Sequence, residues 1–292
     1  PEVHEAITVP VGHGEFGLAA RWSIGRVLRA RRYDHAIVLP RSLKSALVPF
    51  FSGARVRTGY RGEMRYGLLN DIRPLDKSLL TQTVQRFVAL GRPADAPMPP
   101  TIPEPKLSVD PGNQQRLLRA LGLDPERSAI GFMPGAEYGP AKQWPLDHYA
   151  ELAGALVAEG FQVWLLGSSK DREAAEQIAG GSERIYNLCG RTELVDAVDL
   201  IALCDAVVSN DSGLMHVAAA VGTPLVALYG SSTPDYTPPL TDRAEVLYLG
   251  LDCSPCFKRN CPLGHINCLE NIGAEQVMTA LQRLLANENS KK

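Results

Sequence analysis

The sequence lacks the features of a membrane-spanning or secreted chain. No apolar run approaches the ~20 residues that a membrane helix needs, and no basic segment followed by an apolar core stands near the start. Hydrophobic residues make up 45% and charged residues 21% of the 292 positions, which is typical of a globular protein with room for two domains. Because the first residue is Pro1 rather than Met, we expect the natural beginning to be missing.

Several motifs that bind nucleotides or metals are absent as well. No G-x-x-x-x-G-K-[ST] occurs, which excludes a P-loop. No cluster of histidines and carboxylates has metal-ligand spacing, which argues against a metal-dependent hydrolase. The sequence also lacks a basic stripe interleaved with aromatic residues, so we expect no nucleic-acid partner.

Strand and helix patterns alternate along the chain. Residues 3–9 and 35–39 are predicted strands that flank an amphipathic helix over residues 15–32. Seven prolines between Pro93 and Pro111 indicate a linker, because such a segment can be neither helix nor inner strand. We therefore predict two domains, 1–105 and 106–292, with the last helix packing back on the first domain.

The second domain has the clearer pattern. The segments AIGFMPG, FQVWLLG, RIYNLCG, AVVSN and PLVALYG are predicted buried strands, and helical segments separate them. These strands are apolar throughout rather than alternating, which indicates a parallel sheet covered on both faces. The predicted fold class is α/β, in which ligands bind beyond the carboxyl ends of the strands.

The stretch SNDSGLMHVAAAVG begins where the strand AVVSN ends. Its turn and first helical residues are the predicted diphosphate ligands: Asp211, Ser212, Gly213, Leu214 and His216. The first amides of a helix bind anions well, and a glycine lets a ligand approach the backbone. Alternatively, Ser212 only caps the helix and His216 is an ordinary core histidine. We favour the phosphate site because these residues occur together at a strand end.

A second loop, GFMPGAEYGPAKQWP, indicates the same chemistry. It leaves a buried strand, contains Lys142 among glycines and prolines, and opens a helix after Pro145. A lysine beside a helix N-terminus suits a phosphate, although a lone lysine is more often an ordinary surface residue.

Positive charge is concentrated in the first quarter of the chain. Residues 1–73 carry twelve Lys and Arg against six Asp and Glu, whereas the net charge of the whole chain is −2. Such an excess suits an anionic partner, such as a lipid headgroup or a phosphorylated sugar, or it is merely a solvated face.

Three segments together carry a resemblance to a known family. PGAEYGPAKQWP, SNDSGLMHVAAAVGTPLVALYGSSTP and CSPCFKRNCPLGHINCLENI resemble the ADP-heptose:lipopolysaccharide heptosyltransferases of glycosyltransferase family 9, in particular those that add the second inner-core heptose. The resemblance covers nearly the whole chain. It implies the GT-B fold, with two Rossmann-like domains whose parallel sheets face a cleft. It also implies an inverting, metal-independent transfer that needs no cofactor.

The resemblance further implies partners and residue roles. The donor ADP-heptose would bind the second domain through Lys142, Asp211, Ser212, Gly213, Leu214 and His216. The acceptor would be a heptosyl-Kdo–lipid A, an anionic glycolipid, which places the enzyme in the cytoplasm at the inner leaflet of the membrane. Candidates for binding the acceptor phosphates are Arg41, Lys44 and Arg61.

A general base is also implied by the resemblance. In the family, an Asp on an early strand and glycine-containing loop takes the proton of the acceptor hydroxyl, and that position would precede Pro1. No residue of this chain matches it, so the catalytic residue is unknown and we expect the chain to be a fragment. The alternatives are another GT-B sugar-nucleotide enzyme, or a non-catalytic module that binds a nucleotide or glycolipid.

The six cysteines fall into two groups. Cys189 and Cys204 lie in apolar segments and are predicted to be buried. The other four have the spacing C-x2-C-x4-C-x6-C over residues 253–268, with His265 inside the run. This run predicts a metal clip, a loop of reduced thiols or disulfides, and the sequence leaves the three open. In each case its role would be to brace a loop.

Overall fold

The computed structural model describes residues 3–12 and 14–289, and the chain divides into two compact units, Pro1–Ile102 and Pro103–Lys292. The first unit is built on a three-stranded parallel sheet in the order β1-β2-β3. Its strands and helices are α1 (Leu18–Arg29), β1 (His35–Val38), α2 (Leu47–Phe51), β2 (Val56–Tyr60), β3 (Asp71–Arg73) and α3 (Thr83–Leu90).

Helices α1 and α2 pack closely in the first unit. Gly25 is buried within α1, and a Cβ at this position would overlap Phe51 of α2. Only glycine therefore lets the two helices approach this closely. The predicted strand over residues 3–9 is wrong: the structure has no strand there. A β-rich run forms a strand only where it finds a partner, and no described strand pairs with this one.

The second unit contains a six-stranded sheet in which every pairing is parallel. Its strands are β4 (Ala129–Met133), β5 (Gln162–Leu165), β6 (Ile185–Asn187), β7 (Ala206–Asn210), β8 (Leu225–Tyr229) and β9 (Ala244–Tyr248). Its helices are α4 (Pro111–Leu121), α5 (Leu146–Ala158), α6 (Arg172–Ala179), α7 (Leu194–Ile201), α8 (Gly213–Val221), α9 (Asn267–Glu270) and α10 (Ala274–Asn289).

Both faces of this sheet are buried, because alternate strand residues point to opposite sides. Ile130 and Phe132 of β4 pack with residues of α5, α6, α9 and α10, whereas Met133 packs with residues of α4, α7 and α8. Because helices cover both faces of the sheet, its strands are apolar throughout rather than alternating.

The strand order β6-β5-β4-β7-β8-β9 reverses direction between β4 and β7. From β4 the chain continues to β5 and β6 on one side, and β7 then starts the other half of the sheet. The carboxyl ends of β4 and β7 thus form the topological switch point, where doubly wound sheets bind their ligands.

Candidate functional site

The two loops with predicted phosphate ligands leave the sheet at the switch point. Phe132 and Met133 of β4 pair with Val208 and Ser209 of β7. The first loop contains a 3-10 turn over Pro140–Lys142 before α5 begins. The second loop is shorter, since β7 is followed by Asp211 and Ser212 and then directly by α8.

Lys142 and Asp211 form an ion pair across these loops. The Lys142 Nζ atom lies 2.5 Å from Asp211 Oδ2, and the hydroxyl of Ser232 donates to the same oxygen at 2.5 Å. The Asp211 side chain is only 5% exposed and that of Lys142 18%. A buried carboxylate is costly unless it is paired and hydrogen-bonded, and both conditions are met here. The Lys142 ammonium also lies 5.2 Å from the centre of the Tyr138 ring.

Asn210, the last residue of β7, forms hydrogen bonds with the loop that contains Lys142 and with the helix that follows it. Its Oδ1 accepts hydrogen bonds from the Trp144 amide at 3.1 Å and the Tyr149 hydroxyl at 3.3 Å. Its Nδ2 donates to the Pro134 carbonyl at 2.7 Å. The side chain is fully buried. This one amide therefore fixes the loop of Lys142 to the strand that ends at Asp211.

The N-terminus of α8 has no side-chain cap and has free space beside its first residue. Ser212 makes no side-chain capping hydrogen bond, and its hydroxyl lies 3.3 Å from that of Ser209. Gly213 is exposed, and a Cβ there would meet no protein atom within 4 Å. Since the first amides of a helix lack partners within it, those of Gly213 and Leu214 are suited to an anion. The contacts of Ser212 do not support its interpretation as a simple helix cap.

His216 lies one turn into α8 and is close to the ion pair. Burial lowers the pKa of its imidazole below the ordinary 6.5; the charge of Asp211 opposes this shift and that of Lys142 adds to it. The neutral form is therefore favoured. A neutral imidazole can still donate one hydrogen bond, so the predicted role in phosphate binding is chemically possible.

The structure brings the four clustered cysteines together around one small cavity. The cavity, of about 20 Å³, is lined by Cys253, Cys256, Cys261 and Cys268, with His265 beside them. No disulfide links the six cysteines of the chain. In residues 3–12 and 14–289, no three His, Cys, Asp or Glu side chains are placed to hold a metal ion. In this structure the four cysteines are unbonded thiols around one loop cavity.

In the first unit, the predicted acceptor residues differ in their surroundings. Arg41 follows β1 and Arg61 follows β2, and both side chains are exposed. Gly62 approaches Arg41 so closely that a Cβ there would overlap its carbonyl oxygen. Arg41 and Arg61 therefore come from neighbouring segments at the carboxyl edge of the first sheet. Lys44 is engaged differently, because its Nζ donates to the carbonyl of Glu15 at 3.1 Å.

Arg65 is a residue of this region that the sequence analysis missed. Its guanidinium is 2% exposed and donates to the carbonyl of Pro40 at 2.7 Å and to that of Tyr60. Burial lowers the pKa of Arg65, and the charge of Arg41 lowers it further. This buried cation ties the loop of Arg41 to the strand end that precedes Arg61. No periodicity in the sequence marks it, because an arginine is rarely a core residue.

Two residues of the switch point were also missed. Ser232 lies in the segment GSSTP directly after β8, so its position after a buried strand could have revealed it. Asn210 is the last residue of a predicted strand, and only its buried contacts reveal its role. The binding roles of Lys142, Asp211 and the residues of the α8 turn stay predictions.

The chain is similar to known heptosyltransferases over nearly its whole length. It is 49% identical over 302 residues to lipopolysaccharide heptosyltransferase 2 of Escherichia coli (strain K12), covering 99% of this chain and 86% of the relative. It is 50% identical over 299 residues to lipooligosaccharide heptosyltransferase 2 of Haemophilus influenzae, covering 98% and 86%. Both relatives are named for the second heptosyltransferase, which confirms the narrower resemblance carried by the three motifs.

A solved structure and a family match agree with these relatives. The structure of E. coli ADP-heptose lps heptosyltransferase II has a TM-score of 0.83 and 47% sequence identity, covering 99% of this chain and 85% of that one. The predicted α/β GT-B fold with parallel sheets is thereby confirmed. The sequence model of glycosyltransferase family 9 (heptosyltransferase) matches residues 21–267. The chain therefore belongs to glycosyltransferase family 9 and is a heptosyltransferase.

Proposed function

We propose that this heptosyltransferase takes its sugar from ADP-heptose, which it binds at the switch point of the second unit. The observation that supports the proposal is the buried ion pair of Lys142 and Asp211 beside the open N-terminus of α8. An ammonium and a helix N-terminus at one place favour a diphosphate. The similar E. coli structure is that of an ADP-heptose lps heptosyltransferase II.

Lys142 is suited to bind the diphosphate without leaving Asp211. An ammonium has three N–H donors, and one of them is directed at Asp211 Oδ2. The others can reach phosphate oxygens, while Gly213 and Leu214 donate their amides. Asp211 thus orients Lys142 rather than contacting the negative diphosphate.

The chemistry proposed is a direct displacement with inversion. The acceptor hydroxyl attacks the anomeric carbon of the heptose, and ADP leaves from the opposite face. Lys142 and the N-terminus of α8 stabilise the negative charge that develops on the leaving diphosphate. A general base must take the proton of the hydroxyl.

The acceptor that we propose is the anionic inner core of lipopolysaccharide, a heptosylated Kdo–lipid A. Arg41 and Arg61 would bind its phosphates from the carboxyl edge of the first sheet, with Arg65 holding their two segments together. Lys44 is the weaker candidate, because its ammonium already donates to Glu15. No described helix is long and apolar enough to cross a membrane. We propose that the enzyme acts at the cytoplasmic face of the membrane.

Calorimetry tests the donor site directly. The chain is titrated with ADP and with UDP, and the ADP titration is repeated on Lys142→Ala. We expect preferential binding of ADP and a loss of about 10- to 100-fold in affinity for the variant, as for a hydrogen bond to a charged group. Lys170→Ala is the matched control, because Lys170 pairs with Glu137 on the surface.

The outcomes are distinct. An unchanged ADP affinity in Lys142→Ala would contradict the proposed site, and preference for UDP would point to another sugar-nucleotide enzyme. A binding titration with heptosylated Kdo–lipid A then tests the acceptor. Arg41→Ala and Arg61→Ala should weaken binding of this acceptor and leave ADP affinity unchanged.

A further inference from the structure

The loop of the four clustered cysteines, residues 253–268, is unexplained by heptosyl transfer. Three of its thiols, Cys253, Cys256 and Cys261, are partly exposed, and Cys268 is buried. All four line the same cavity of about 20 Å³, which has room for a single water molecule. Burial raises the pKa of Cys268, and the three neighbouring cysteines raise it further. The sulfurs are thus close enough to influence one another.

Cys261 differs from the other three thiols in its surroundings. The chain turns after it, with the Gly264 amide donating to the Cys261 carbonyl at 3.2 Å. The nearby backbone amides from Leu263 to Ile266 lower the pKa of this thiol. A thiolate is the nucleophilic form of cysteine, so an accessible Cys261 is the reactive member of the group.

The backbone of the cysteine loop contacts the residues next to Lys142 and Ser232, the two residues that bind Asp211. The Ala141 amide donates to the Arg259 carbonyl at 3.0 Å, directly beside Lys142. The Phe257 amide donates to the Ser231 carbonyl at 2.7 Å, directly beside Ser232. Lys142 and Ser232 in turn share one oxygen of Asp211. The cysteine loop therefore supports the two segments that present Lys142 and Ser232 to Asp211.

Gly139 shows how tightly the loop fits. Its φ of 152° and the backbone of Arg259 leave no room for a Cβ. The Tyr138 hydroxyl also donates to the carbonyl of Phe257 at 2.7 Å. A shift of the cysteine loop must consequently move the segment that presents Lys142.

We propose that the cysteine loop is a thiol-modification site that undergoes exchange with a low-molecular-weight disulfide, and that its oxidation weakens the donor site. The second part rests on the proposed binding of ADP-heptose. The oxidised loop contains one intramolecular disulfide between Cys261 and another thiol of the cavity. The loop is then pulled out of the position that supports Ala141 and Ser231.

The proposed oxidation proceeds through two successive thiol–disulfide exchange steps. The Cys261 thiolate attacks one sulfur of the small disulfide, the S–S bond breaks and the first small thiolate leaves. A second cysteine of the cavity, as its thiolate, attacks the mixed disulfide and releases the second small thiolate. The two protons of the protein thiols end on the two released thiols. The protein sulfurs are oxidised and the small disulfide is reduced.

In the proposed oxidised loop, the two joined Cβ atoms lie about 4 Å apart, and the chain between them adjusts to that spacing. The thiols are unbonded in the present arrangement, and the loop is hydrogen-bonded in that arrangement to Ala141 and Ser231. We expect that forming the disulfide changes this geometry, so the loop then loses its backbone contacts with Ala141 and Ser231.

The test treats the whole chain with oxidised glutathione and then with dithiothreitol. Mass spectrometry maps the disulfides, calorimetry measures ADP affinity, and hydrogen exchange follows residues 139–144 and 229–233. We expect one disulfide within residues 253–268, faster exchange in both segments and a fall of about fivefold or more in ADP affinity. Dithiothreitol should reverse all three.

Two variants make the test specific. Cys261→Ser should keep the ADP affinity of the untreated chain and lose the response to oxidised glutathione. Cys189→Ala should retain the response, because Cys189 is buried in the core and burial raises its pKa to about 12. A response that survives in Cys261→Ser would overturn the assignment of the reactive thiol.

Other outcomes would overturn the proposal as a whole. These are a loop disulfide that leaves hydrogen exchange and ADP affinity unchanged, and thiols that resist exchange because the purified protein carries a stoichiometric metal ion. If the untreated chain does not bind ADP, the proposed function fails. Hydrogen exchange then decides the thiol site alone: faster exchange in residues 139–144 after oxidation supports it, and unchanged exchange contradicts it.

Discussion

Lys142 and Asp211 are 69 positions apart in the sequence, and their charged groups meet at 2.5 Å. The pair is mostly buried, lies where the strand order reverses, and shares an oxygen of Asp211 with Ser232. We propose that this pair presents a fixed positive charge to the diphosphate of the donor. The aspartate is needed because an isolated lysine on a loop would be mobile and poorly oriented.

The buried pair should contribute to stability as well as to binding. In Lys142→Ala, Asp211 stays buried without its cation, and we expect the free energy of unfolding to fall by about 3 kcal/mol. Urea denaturation checks this. Lys170→Ala removes an exposed pair with Glu137 and should leave stability unchanged within error. Equal effects of the two substitutions would contradict the importance of burial.

Ser232 and Ser231 provide a matched comparison of adjacent hydroxyls. The Ser232 hydroxyl donates to Asp211, whereas the buried Ser231 hydroxyl has no hydrogen-bond partner. Ser232→Ala should therefore destabilise the protein by about 1–3 kcal/mol and weaken ADP binding. Ser231→Ala should be neutral or slightly stabilising. Thermal unfolding and calorimetry on both variants measure the difference, and a larger effect of Ser231→Ala would contradict the hydrogen-bond assignment.

His216 should make stability depend on pH. Its pKa in the folded protein is lowered by burial below the ordinary 6.5, so the unfolded chain binds more protons as the pH falls past that value. The stabilisation is present above about pH 6.5 and is lost towards the folded pKa. Compared with His216→Gln, which does not titrate, the unaltered protein should lose stability between pH 8 and pH 5.5. An NMR titration with a midpoint above 6.5 would contradict this prediction.

Asn210 should be sensitive to substitution although it contacts no ligand in our proposal. Asn210→Ala leaves the Trp144 amide, the Tyr149 hydroxyl and the Pro134 carbonyl without this partner, at a cost of about 3 kcal/mol. Chemical denaturation measures the loss. The control is Asn70→Ala, whose side-chain hydrogen bonds with Arg57 and Arg55 are exposed and whose loss should cost about 0.5 kcal/mol or less.

The buried strands of the second unit could be predicted well. The strand AVVSN has the predicted bounds, Ala206–Asn210, because a short apolar run bounded by polar turn residues fits a doubly covered sheet. Strand β9 was missed. It lies at the edge of the sheet and its residues are half-exposed, so it lacks the continuous apolar pattern.

Other residues could not be assigned from local sequence. Arg65 is a buried cation, and no sequence pattern specifies that its guanidinium meets the carbonyl of Pro40, which is 25 positions away. The cysteine spacing left metal, thiols and disulfides open. The spacing does not give the positions of the four sulfurs in space, because the loop is hydrogen-bonded to Ala141 and Ser231, which are distant in the sequence.

The sequence by itself determined the class of fold, the places where loops leave buried strands, and the membership of the heptosyltransferase family. These properties follow from local apolar content and from motifs of adjacent residues. Only the tertiary structure decided that Lys142, Asp211 and Ser232 share one oxygen atom. They follow three different strands, β4, β7 and β8, which stand next to one another only because of the strand order. Neighbouring strands lie about 5 Å apart, so their carboxyl ends bring together side chains that are far apart in the chain.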